Sequence, residues 1–164
     1  MQTRQTSFEP AELEKITAAL SAANKNFARR YPGESNRRQA VHTVYGGAHF
    51  FRADSAERLG AVALRSLEEY AADAGTLATA LGIPNAIAAK VHARIVEKMR
   101  REPVEDFRLD FEDGYGNRPD AEEDGHAASA AGEVARGFAA GTLPPFIGIR
   151  IKSLNEDLRA RSIR

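Results

Sequence analysis

Two short stretches, VEDFRLDFED from Val104 and PFIGIRIKS from Pro145, constrain what this chain can fold into more than any other part of it. In each, apolar and polar side chains alternate, the pattern of a strand whose two faces meet different surroundings. Phe107, Leu109 and Phe111 share one face of the first, and Asp106, Arg108, Asp110 and Glu112 share the other. In the second, Ile147, Ile149 and Ile151 lie opposite Gly148, Arg150 and Lys152. Between them Asp120 to Ala140 reads as a helix with a flat stripe of Ala127, Ala131, Val134 and Phe138, stopped by Gly141. Strand, helix and strand at this spacing predict a βαβ unit, with the two strands parallel, adjacent and joined by a right-handed crossover. The oily faces then meet the helix, which leaves the charged faces pointing away from it. A doubly wound sheet would cover that second face with further helices. A (β/α)8 barrel would not, since its strands face a common interior and carry functional side chains at their carboxyl ends.

The rest of the chain is read by the same signals. Ser7 to Arg30 is expected as a first helix, with Ser7 as cap, Pro10 in the first turn and Leu13, Ile16 and Leu20 at helical spacing. AVHTVYGG reads as a further strand. Asp54 and Glu57 form a capping-box pattern that opens one long helix through Leu59, Leu64, Leu67, Tyr70 and Leu77, closed by Gly82 and Pro84. Asn85 to about Arg101 is a helix ended by Glu102-Pro103. The expected organisation is a helix and lead-in over residues 1–40, followed by an α/β domain over 41–164 that is the N-terminal part of a (β/α)8 barrel with about three parallel strands.

Composition narrows the function classes. The 164 residues carry 23 basic and 23 acidic side chains, so no net field favours nucleic acid or an anionic membrane surface. There is no cysteine, which removes thiolate chemistry and disulfides. No apolar run reaches the roughly 18–20 residues needed to span a bilayer, and the start lacks the apolar core of a signal peptide. A cytoplasmic enzyme or binding protein is the expectation.

The residues that crowd the strand ends are Asp110, Glu112, Asp113 and Arg150. The ordered combination of RLDFEDGYG, the helix containing GHAASAAGEVARG, and FIGIRIKS resembles the second and third strands of the metal-dependent pyruvate aldolase and citrate lyase β-subunit superfamily. VHTVYGGAHFFRADSAERLG resembles the first strand and loop of an aldolase-like branch of it. The resemblance runs from about Val41 to the C-terminus. It implies carbon–carbon bond cleavage or formation through the enolate of a pyruvate-like or acyl-thioester substrate, assisted by Mg²⁺ or Mn²⁺. It also implies Arg150 as a bidentate clamp on the substrate carboxylate, with Asp110, Glu112 and Asp113 as an acidic floor. Glu112 and Asp113 would stand in the second shell of the metal, whose direct ligands are expected beyond Arg164. Tyr45, Gly46 and His49, in the loop after the first strand, are the further substrate-binding candidates, with His42 beside them.

A barrel needs roughly 250 residues, so the chain is expected to be the N-terminal portion of a longer enzyme. By itself it would be inactive, and it would self-associate through its open sheet. The competing reading is a non-catalytic α/β module that holds an anionic metabolite on Arg150 and Lys152. Equally, the carboxylates could be a solvated strand end, and Arg150 a structural partner of Asp110. Gly114 and Gly116 read as a turn, since the Lys-Ser/Thr of a phosphate loop does not follow them. His92 and His126 are assigned structural roles.

Overall fold

The computed structural model describes residues 8–164, so the expected Ser7 cap lies outside the described residues. The chain divides into two compact units, Met1–Gln39 and Ala40–Arg164. The first contains α1 (Pro10–Arg30), with Pro10 in its first turn and Arg29 and Arg30 in its last, where they suit the negative end of the helix dipole. The second unit carries three parallel strands, β1 (Thr43–Gly47), β2 (Asp106–Asp110) and β3 (Phe146–Arg150), in the order β1-β2-β3. Between β1 and β2 come a 3₁₀ turn (Ala48–Phe50) and the helices α2 (Ser55–Tyr70), α3 (Ala74–Leu81) and α4 (Asn85–Arg101). Helix α5 (Asp120–Ala140) joins β2 to β3, and α6 (Arg159–Ile163) follows. The mixed α/β fold and its parallel sheet therefore stand. Among the described residues no helix is long and apolar enough to cross a membrane.

Paired residues of parallel strands point to the same side. The register places Val44, Phe107 and Ile147 in one row, and Tyr45, Arg108 and Gly148 in the next, on the opposite face. On the first face Phe107, Leu109 and Phe111 are buried in one cluster with Ala56 of α2 and Ala130 of α5, and Val44, Val134, Leu143 and Ile147 pack against it. The opposite face is polar. Thr43 donates to Asp106 Oδ2 at 2.9 Å, and Arg108 grips the same oxygen through Nε at 3.1 Å and Nη2 at 2.9 Å.

Four expectations need correction. The single long helix is broken into α2 and α3, because Asp73 accepts from the backbone N–H of both Gly75 and Thr76 at 2.9 Å and so starts a new helix. The carbonyl of Ala71 left over at the break accepts from His92 Nε2 at 3.2 Å. At the other end of α2, Asp54 makes no side-chain cap, and it is Ser55 Oγ that accepts from the Arg52 amide. The stripe of α5 is rotated by about one residue. Its buried positions are Glu123, Ala130 and Gly137, while Phe138 is 70% exposed. At Gly137 a small residue wins because the chain packs close there: a Cβ would come within 2.4 Å of Leu143 Cδ2. Finally, Ile149 and Ile151 are exposed rather than covered by a helix, since β3 is an edge strand.

Candidate functional site

The carboxyl ends of the three strands lie abreast, with Gly47, Asp110 and Arg150 in one row of the register. Asp110 is 2% exposed. Its Oδ1 accepts from the Glu112 amide at 2.8 Å and its Oδ2 from the Gly114 amide at 3.0 Å. A carboxylate that satisfies two backbone amides fixes the path of the turn that follows it. That turn brings two further carboxylates over Arg150. Nη2 of Arg150 stands 2.5 Å from Glu112 Oε2 and 2.7 Å from Asp113 Oδ2, and Nη1 stands 3.4 Å from Asp110 Oδ2. The repulsion of three neighbouring carboxylates is thus offset by one guanidinium and two amides. The hydrogen bond that Arg150 donates to Asp113, and behind it the charges of Asp113, Glu112 and Asp110, hold Arg150 above the ordinary guanidinium range.

Tyr45 completes this group, its ring 5.5 Å from the Arg150 guanidinium carbon, within cation–π range. Beside Glu112 and Asp113 opens a recess of about 290 Å³, bounded also by Gly116, Asn117, Lys152 and Leu158. Gly116, with φ at +78°, makes the left-handed step that ends the turn. A larger hollow of about 570 Å³ lies between β1 and α2, on apolar side chains such as Val44, Phe51, Leu59 and Val62. The charged strand ends are not part of it.

Five of the expected site residues, Tyr45, Asp110, Glu112, Asp113 and Arg150, are therefore brought together. Gly46 is not with them. It faces the apolar side, where a Cβ would meet Phe107 Cζ at 2.6 Å, and its lack of a side chain serves packing. His49 belongs to a neighbouring aromatic cluster, with ring centroids 5.3 Å from Tyr115 and 5.7 Å from His126. Burial, and then the charge of Arg118, holds His49 below the usual imidazole range, and its Nδ1 is buried without a hydrogen-bond partner. Tyr115 Oη and His126 Nδ1 share a hydrogen bond of 2.7 Å, and burial raises the Tyr115 phenol. Sequence reasoning gave no role to Tyr115 and a structural one to His126. The Tyr between Gly114 and Gly116 was the available signal, but its partner sits 11 residues away on another element. His42 stands near Glu105, at the opposite ends of the strands.

Lys152 is buried, its Nζ donating to the Phe111 carbonyl at 2.6 Å and lying 3.4 Å from Glu123 Oε2. Its charge is engaged by Glu123, as that of Arg150 is by Asp110, Glu112 and Asp113. Divalent Mg²⁺ or Mn²⁺ needs several free oxygen ligands. Here the oxygens of Asp110 are held by amides, and Glu112 and Asp113 by Arg150. Among the described residues no group of three His, Cys, Asp or Glu side chains could hold a metal ion. These residues do not fit direct ligation of either ion.

No curated protein and no solved structure matched the chain. A family model does match, over residues 20–164. It is not that of an aldolase or citrate lyase family, so the resemblance drawn from RLDFEDGYG and FIGIRIKS is overturned. Those motifs describe two parallel strand ends and the helix between them, a pattern that unrelated α/β folds can share. By the model that covers most of its length, the chain belongs to the family DUF6986, a domain of unknown function.

Proposed function

We propose that the chain forms the leading strands of a (β/α) barrel and that its Arg150 cluster recognises the carboxylate of a small pyruvate-like acid, as a carbon–carbon lyase or aldolase must do to hold its substrate. One observation carries this reading: a guanidinium in register with Asp110 at the carboxyl ends of parallel strands, 35% exposed, whose partners Glu112 and Asp113 line a recess. That edge is where α/β enzymes place their chemistry. Support for the barrel comes from the consecutive strand order and from the polar face opposite the helices. In such a reaction Arg150 would bind and orient the substrate carboxylate, and its positive charge would favour the enolate that carbon–carbon cleavage leaves behind.

The test is titration of pyruvate into the ¹⁵N-labelled protein, with Arg150→Lys as comparison. Lysine keeps the charge but loses the planar fork. Losing one charge-assisted hydrogen bond, about 1.5–3 kcal/mol, should weaken binding about 10- to 100-fold. The chain by itself should release no pyruvate from a 4-hydroxy-2-oxo acid, so the readout is binding. No saturable binding at tens of millimolar, or one Kd for both proteins, would sink the reading.

A further inference from the structure

The guanidinium of Arg150 is shared among three acids, and they are not equally held. Asp110 is buried and tied to two amides. Glu112 is two-thirds buried, and its own amide is one of those two. The Asp113 side chain is 81% exposed, yet it reaches back to Nη2 at 2.7 Å. It lies beside the recess and is followed by Gly114 and Gly116, the latter at positive φ. An exposed carboxylate exchanges protein for water at little cost. Of the three, Asp113 is by far the most exposed, and its side chain can leave without breaking the turn.

We infer that Asp113 occupies the seat of the ligand carboxylate on Arg150, an internal competitor that a small carboxylate must displace. The inference rests on Arg150 being a carboxylate site. A planar guanidinium prefers one carboxylate across two N–H groups. At Nη2 it instead meets Glu112 and Asp113 singly. An incoming carboxylate takes the place on Nη2 that Asp113 vacates, while Glu112 and Asp110 keep their contacts, and Asp113 swings out into water. The ligand class is then a small monocarboxylate whose acid group is no larger than the aspartate head it replaces. Its apparent affinity is lowered by the fraction of molecules in which Asp113 holds the seat.

The experiment compares wild type, Asp113→Asn and Arg150→Lys with pyruvate as the probe, by amide shift titration at low salt and at about 0.5 M NaCl. An exposed ion pair implies a seat occupied often enough to weaken binding about two- to sixfold. Asp113→Asn should tighten Kd by that factor, without a fall in melting temperature. Removing a charge also helps any anion from a distance, but that effect is screened by salt, so the gain must persist at high salt. A Kd unchanged or weakened in Asp113→Asn, or a gain that vanishes with salt, overturns the inference. If wild type binds and Arg150→Lys does not while Asp113→Asn equals wild type, the inference falls alone. If none of the three binds, the carboxylate reading falls and takes the inference with it.

Discussion

Glu105, an acid that the sequence reading passes over, joins three elements of the unit. Its Oε2 accepts from the Val41 amide at 2.6 Å and its Oε1 lies 2.7 Å from Lys98 Nζ, so one carboxylate ties the lead-in of β1 and the end of α4 to the start of β2. The Lys98 hydrogen bond first, and then the Val41 amide, hold its carboxyl below the usual range. A depressed carboxylate contributes stability above its unfolded pKa and loses it as the pH falls through the folded one. Melting temperature should therefore drop as the pH is lowered below about 4.3, the ordinary glutamate value. Glu105→Gln should be less stable at neutral pH and should flatten the part of that slope due to this group. A thermal melt at each pH from 7 to 3 reads both, and an unaltered slope in the variant would remove Glu105 from the account. At this scale the sequence was legible where chemistry repeats locally: RLDFED announces its own crowding within six residues. The Glu105 clamp was not, because Val41 is 64 residues away and nothing in either neighbourhood refers to the other.

The same contrast separates the elements. Helices α4 and α5 have the bounds that their punctuation predicts, Pro103 beyond the one and Gly141 at the end of the other. The α2–α3 break was missed because a continuous apolar period hid a competing cap at Asp73. Which face of α5 is buried was misread for another reason. Hydrophobicity picks Phe138, whereas close packing picks Gly137 and Ala130. Gly60 is the counterpart in α2. A Cβ there would lie 2.7 Å from Pro103 Cγ and 2.8 Å from the Met99 carbonyl, and neither a proline ring nor a helix backbone yields easily. Gly60→Ala gains helix propensity but forces α2 and α4 apart, and overpacking of this kind costs about 1–3 kcal/mol. A lowered denaturant midpoint with unchanged slope is the expected result. Equal or higher stability would mean that the two helices are not in contact at this point.

At the scale of the whole molecule, the alternating strands made the parallel sheet readable, while closure into a barrel is a property of residues in different strands and remains a proposal. Among the described residues neither β1 nor β3 pairs with a further strand. Beside β1 stand the exposed Phe50 and Val62, and on β3 Ile149 is 63% exposed. Unpaired edges flanked by apolar side chains favour association with another chain. Sedimentation velocity should show self-association that Ile149→Lys weakens about tenfold or more, the equivalent of one apolar side chain at about 1.5–3 kcal/mol. A sedimentation coefficient that does not change with concentration would rule this out. The strand order also bears on how the sheet comes into being. Because each strand pairs with the one before it, synthesis from the N-terminus never makes a finished strand wait for a neighbour beyond the next crossover. In refolding from the full chain the order can differ. Thr43 and Asp106 are separated by 63 residues and Asp110 and Arg150 by 40, so closing the second pair costs less entropy, by about 0.4 kcal/mol on the logarithmic scale of loop length. A ribosome would then build this sheet from β1 onward, while a diluted denaturant would start it at β2 and β3.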